Sequence, residues 1–159
     1  MTPIVGGYNG FWNFESYWQS GKVFEGIPRE TTLAYWQKLK EPKRRYPGSK
    51  GKTVLYAEFD GEHYGYVDSR KQIYVPKYYD LIKDKASLKH YNWLLNNGKN
   101  IVVYDFDGPR SANGGVQCLP VSLQLYMDKI NDVTFPFGHG YVVAGAIAGL
   151  DCCAIGLRC

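Results

Sequence analysis

The chain has 159 residues, which is enough for one domain of ordinary size with a buried core. Hydrophobic residues make up 45% and charged residues 21% of it, so its composition excludes a largely disordered chain. The formal net charge of +4 is too small to indicate nucleic-acid binding by itself, although it favours anionic over cationic ligands.

In the first part of the chain, apolar residues three and seven positions apart predict an amphipathic helix that begins near Phe11. A second helix is predicted at 29–39. Two strands are predicted at 53–59 and 63–67, and the Asp60-Gly61 pair between them indicates a hairpin with a three-residue loop.

In the second part, helical spacing predicts helices at 76–85 and 87–95. The apolar run at 101–107, rich in β-branched residues, predicts a buried central strand. Two more helices are predicted at 120–130 and 140–150, the latter rich in small residues.

These elements predict a single compact α+β domain, residues 1–159, with a small central sheet flanked by helices. We expect a cytoplasmic protein that does not enter the membrane. The N-terminus lacks the pattern of a signal peptide, and the apolar stretch at 141–150 is too short to span a bilayer. The cysteines lack the spacing of a disulfide framework or a zinc site; they are Cys118, Cys152, Cys153 and Cys159.

The first polar motif is ESYWQSGK, residues 15–22. On a helix, Glu15, Gln19 and Lys22 would share one face beside the aromatic stripe that contains Trp18. A carboxylate, an amide and an amine next to aromatic rings could bind a sugar or a base and act in acid–base or nucleophilic catalysis. The alternative interpretation is a solvated helix edge with an ordinary Glu–Lys pair.

The second motif is YDFDGPR, residues 104–110. Asp105 and Asp107 would follow the predicted central strand, where ligands of α/β sheets tend to bind, and Asp107 is a candidate catalytic residue. Arg110 could form a two-pronged contact with a phosphate or a carboxylate. Two alternatives remain at this point: a capped turn with an Asp–Arg salt bridge, or a magnesium site on the two aspartates.

The third motif is a helix start at Gly138, His139 and Gly140, where free N–H groups could receive a phosphate; a tight turn into a core helix is the alternative. Arg70, expected in a loop at the end of a strand, could add a second phosphate contact. The basic segment 38–52 is either a solvated loop or a contact for nucleic acid.

The segment NFESYWQSGKV resembles the NADAR family of YbiA-like N-glycosidases, which share a helix of the form E-x-Y-[FW]-Q-x-x-K. The resemblance implies cleavage of an N-glycosidic bond to a ribose carbon, in ADP-ribosylated guanine or a phosphorylated riboflavin precursor. It implies that the amine of Lys22 attacks the anomeric carbon and that Glu15 assists.

The sequence therefore predicts a hydrolase that cleaves an N-glycosidic bond in an ADP-ribose-like or other nucleotide substrate. The expected partner is this small molecule or an ADP-ribosylated substrate, and we expect no metal and no cofactor. Two alternatives belong to other classes of protein. One is a non-catalytic module that binds or sequesters a nucleotide, as in a conflict between virus and host. The other is a structural or interaction protein whose tyrosines mark a partner surface.

Overall fold

A computed structural model describes residues 5–150 as helices and short antiparallel strands, which confirms the predicted α+β class. The chain forms two compact units, and the boundary between them falls after Tyr66. The described strands all belong to the first unit, whereas the second unit is built mainly from helices. Cys152, Cys153 and Cys159 lie outside the described residues.

Two small antiparallel sheets and two α-helices make up the first unit. In chain order its elements are β1 (Val5–Tyr8), β2 (Phe11–Asn13), α1 (Phe14–Ser20), β3 (Lys22–Phe24), α2 (Arg29–Lys38), a 3-10 turn (Pro47–Ser49), β4 (Val54–Phe59) and β5 (Glu62–Tyr64). The strand β1 pairs with β2, and β4 lies between β3 and β5. The helix predicted at 29–39 is confirmed as α2.

Both hairpins of this unit turn through two residues with positive φ. In the first, Asn9 has φ 45° and Gly10 has φ 80°; in the second, Asp60 has φ 54° and Gly61 has φ 83°. These are type I′ turns, whose twist matches that of the strands they join. The predicted Asp60-Gly61 hairpin is confirmed, but its loop has two residues rather than three, because Phe59 pairs with Glu62.

The helix predicted to begin near Phe11 begins three residues later. Phe11 pairs with Tyr8 in the hairpin, so its backbone is extended rather than helical. The helix α1 then starts at Phe14, where the side-chain oxygen of the buried Asn13 accepts a hydrogen bond of 2.8 Å from the Ser16 amide. This is an N-cap, which satisfies one of the unpaired amides of the first turn.

The core of the first unit is aromatic, and its tightest contact lies at Gly21. The ring of Phe59 occupies the space in which a β carbon on Gly21 would stand, while the plane of the same ring is stacked on Trp18. The Gly21 carbonyl also accepts a 2.8 Å hydrogen bond from the Glu58 amide. The turn between α1 and β3 is therefore fixed against β4 by close packing and by a backbone hydrogen bond.

Helices packed against the last helix form the second unit. Its elements are α3 (Tyr66–Ser69), a π-helical segment (Arg70–Tyr74), α4 (Val75–Ile82), α5 (Ala86–Asn96), α6 (Leu123–Asn131) and α7 (His139–Ile147). The helix α7 contacts α4 and α5, and the ring of Tyr126 on α6 lies against Gly145. The strand predicted at 63–67 is wrong beyond Tyr64, where the chain turns into α3.

The predicted central strand at 101–107 is also wrong. This segment belongs to no strand, and the described part of the second unit offers it none to pair with. Alternate side chains face water: Val102 is 73% exposed and Tyr104 is 78% exposed. Its β-branched residues favour an extended backbone, but they do not determine whether a neighbouring strand exists.

Gly21→Ala is expected to lower the free energy of unfolding by about 1–3 kcal/mol, because the new methyl group would overlap the Phe59 ring. The backbone at Gly21, with φ −70° and ψ −20°, suits alanine, so only space opposes the change. Urea unfolding followed by tryptophan fluorescence measures the loss.

The control is Gly7→Ala, whose β carbon would be 3.5 Å from the Phe11 carbonyl oxygen, an ordinary contact. The Gly21→Ala, Phe59→Leu double variant should lose less stability than the sum of the losses of the two single variants. The reason is that the smaller leucine side chain leaves room for the new methyl group. Unchanged stability of Gly21→Ala would show that the ring does not fill this space.

Candidate functional site

The motif residues of the first unit lie on two different elements. The helix α1 ends at Ser20, and Lys22 is the first residue of β3, opposite Ala57 of β4. The prediction that Glu15, Gln19 and Lys22 share one helical face is therefore wrong for Lys22. The helix stops because Lys22 pairs with β4 and Gly21 is packed beneath Phe59.

The structure nevertheless brings the chemical groups of this motif together around one indole ring. Gln19 Nε2 donates a 2.7 Å hydrogen bond to Glu15 Oε1, one helical turn earlier. Trp18 follows Glu15 by three positions, and residues at that spacing are neighbours on a helix. The ammonium nitrogen of Lys22 lies 6.0 Å from the centre of the Trp18 ring, at the outer limit of a cation–π contact.

A second polar group in this unit was missed by the sequence reasoning. Glu58 Oε1 lies 3.5 Å from Arg29 Nε, and its Oε2 lies 3.4 Å from His63 Nε2. A signal for half of this group exists in the sequence, since a two-residue turn at Asp60-Gly61 places His63 directly opposite Glu58. Opposite positions on antiparallel strands bring side chains into contact.

Burial also shifts the pKa of a tyrosine in this unit. It raises the pKa of Tyr17 well above its usual value, and the negative charge of Asp60 adds to the effect. The phenol of Tyr17 therefore keeps its proton to a higher pH than an ordinary tyrosine does.

In the second unit, the second and third motifs meet at the start of α7. The carboxylate of Asp105 accepts a 2.7 Å hydrogen bond from the Gly140 amide through Oδ2. Its Oδ1 accepts a longer one, 3.4 Å, from the Asp107 amide. A β carbon on Gly138 would lie 2.5 Å from Asp105 Oδ2, so the glycines make this approach possible.

The hydrogen bond between the Gly140 amide and Asp105 affects the phosphate site predicted at the start of α7. The helix does begin at His139, with Gly138 as its N-cap residue, as the sequence predicts. However, the Gly140 amide already donates to a carboxylate of the chain itself, which satisfies one of the free donors of the first turn. An anionic ligand at that amide would have to displace Asp105.

Tyrosines surround this helix start. The ring of Tyr78 lies 5.8 Å from the half-buried His139. Burial, together with the charge of Asp105, raises the pKa of Tyr78 to about 12 and that of Tyr141 to about 12. Both phenols therefore keep their protons to a higher pH than an ordinary tyrosine does.

The two arginines predicted to contact phosphate have different surroundings. Arg70 lies in the π-helical segment rather than in a loop, and it is only 3% exposed. Its guanidinium donates to three backbone carbonyls at and beyond the end of α6: Ile130 at 3.2 Å, Asp132 at 2.6 Å and Phe135 at 2.7 Å. Arg110 makes one such bond, 3.0 Å to the Phe106 carbonyl, at the surface.

The other predicted contacts remain predictions. They concern Asp107, Arg110 and His139, all of which belong to the second unit. The basic segment 38–52 is exposed from 40 to 45, as either a solvated loop or a nucleic-acid contact would be.

The part of the chain from 5 to 150 contains no helix of the length and apolar character needed to cross a membrane. Within the same residues, no three His, Cys, Asp or Glu side chains gather as ligands for a metal ion. Comparison of the chain with models of protein families, with curated proteins and with solved structures finds no match.

Arg70→Ala is expected to destabilise the protein by about 3 kcal/mol or more, because three carbonyls, one buried and two partly buried, would lose a charged donor. The matched control is Arg110→Ala, which removes one surface hydrogen bond and should cost about 1 kcal/mol or less. Thermal and urea unfolding measure both. Equal losses in the two variants would contradict a structural role for Arg70.

Proposed function

We propose that this chain is a hydrolase that cleaves the N-glycosidic bond of a nucleotide-type substrate, ADP-ribose-like in its sugar part. The proposed site is the α1–β3 cluster of the first unit, which consists of Glu15, Trp18, Gln19 and Lys22. One observation carries the proposal: the Lys22 amine lies over the ring of Trp18, which neighbours Glu15 on the helix. The resemblance of this segment to the NADAR motif supports it.

The arrangement suits attack at a ribose carbon. In the proposed reaction the neutral amine of Lys22 bonds to C1′ of the ribose, and the bond from C1′ to the base nitrogen breaks. Its electron pair leaves with the base, which takes up the proton that the newly bonded Lys22 nitrogen gives up. Water then adds to C1′ and releases the lysine, so that the products are free base and sugar. An amine acts as a nucleophile only when it is unprotonated.

Glu15 has two roles in this proposal. Its carboxylate stabilises the positive charge that develops on the ribose as the bond breaks, as carboxylates do in O-glycoside hydrolysis. The 2.7 Å hydrogen bond from Gln19 holds one of its oxygens in place, so that the other oxygen can exchange a proton with the substrate. Trp18 offers an aromatic surface for the sugar or the base.

The test measures product release by chromatography when the full chain is incubated with ADP-ribosylated guanosine, whose leaving group is guanosine, and with a set of other N-glycosides, whose leaving group is the free base. Lys22→Arg keeps the positive charge but removes the nucleophile, because an arginine does not lose its proton. We expect turnover to be abolished in that variant. Glu15→Gln should lower the rate by about 100-fold, the usual contribution of a proton-transfer group.

The matched control is Lys40→Arg, the same replacement at an exposed lysine of the same unit, which should leave the rate unchanged. Full base release by Lys22→Arg would overturn the role of Lys22. Calorimetric binding of ADP-ribose without release of base from any substrate would instead identify a sequestering module.

A further inference from the structure

A cavity of about 470 Å³ lies within the second unit, separate from the α1–β3 cluster. Segment 100–121 forms one wall, and the helices α5, α6 and α7 form the others. Aliphatic side chains line most of it, among them Leu95, Ile101, Val103, Leu125, Ala144 and Ile147. Its volume falls within the range of pockets that hold small molecules.

The only charge among the described lining residues of this cavity is negative. Of the described residues that line it, Asp105 alone carries a charge, and no lysine, arginine or histidine is among them. Both oxygens of that carboxylate accept backbone hydrogen bonds, which keep it at the cavity wall. A carboxylate oxygen has more than one acceptor site, so Asp105 can still accept a hydrogen bond from a ligand.

We propose that this cavity binds a small, mainly apolar molecule that is neutral or cationic, and that Asp105 excludes anions from it. Contact of the apolar walls with an apolar molecule instead of water lowers the free energy, which favours binding. An anion there would lie beside a carboxylate in surroundings of low polarity, where repulsion is stronger than in water. The site goes beyond the proposed glycosidase, whose substrate carries phosphate.

Two fluorescent probes with the same aromatic body test this selection. N-phenyl-1-naphthylamine is uncharged, and 1-anilinonaphthalene-8-sulfonate is the same molecule with one sulfonate. Titration of the full chain should show saturable binding of the uncharged probe at one site, at least about tenfold tighter than binding of the sulfonate. Asp105→Asn keeps an acceptor for the Gly140 amide, and it should reduce the ratio between the affinities for the uncharged probe and the sulfonate.

A cavity-filling variant locates the binding. Ala144→Trp should weaken binding of the uncharged probe at least about tenfold, because the indole takes up the space of the ligand. Ala34→Trp, at an exposed position of α2, is the matched control and should bind as the wild type does. Circular dichroism checks that each variant is folded, and Leu125→Trp replaces Ala144→Trp if the latter is not.

Three results would overturn the proposal: no saturable binding of the uncharged probe, equal or tighter binding of the sulfonate by the wild type, or unchanged binding in a folded cavity-filling variant. Loss of base release in the glycosidase assay would leave these results unaffected, since the two sites lie in different units.

Discussion

The missing β carbon at a few glycines is the constraint on which both units depend. At Gly21 it leaves room for the ring of Phe59, and at Gly138 and Gly140 it leaves room for the carboxylate of Asp105. Interiors pack as densely as organic crystals, so a single methyl group at such a contact must displace its neighbour. The positions of the polar groups in each unit therefore follow from contacts that only glycine allows.

In the first unit, this packing explains how a short helix and a strand can form one cluster. The helix α1 has only seven residues, too few to carry Lys22. The Phe59 ring packs against Gly21 and stacks on Trp18, so the same ring contacts both the turn and the indole. Lys22 enters β3 immediately after this turn, which places its amine near the indole although the helix has ended. Sequence spacing alone does not contain that geometry.

The sequence predicts what local chemistry determines. Residues 29–38 and the Asp60-Gly61 hairpin follow from helix spacing and turn residues. The Asn9-Gly10 pair is an equally strong turn signal, but the apolar spacing that begins at Phe11 predicts a helix where the chain forms β2. Strand pairing is not local, so the β-branched run at 101–107 predicts a strand although residues 5–150 contain no strand that pairs with it. The sequence does not reveal that Arg70 binds carbonyls of its own chain, because those carbonyls lie 60 or more positions away.

The central claim is that the amine of Lys22 forms a bond with the ribose carbon. Opening of the sugar ring after that attack gives an imine between Nζ and C1′, which sodium borohydride reduces to a stable amine. The most direct measurement is peptide mass spectrometry of the full chain after incubation with substrate and borohydride. The account predicts the sugar mass on the peptide that contains Lys22 and on no peptide of Lys22→Arg. Release of base with no adduct, or with the adduct on a different lysine, would contradict it.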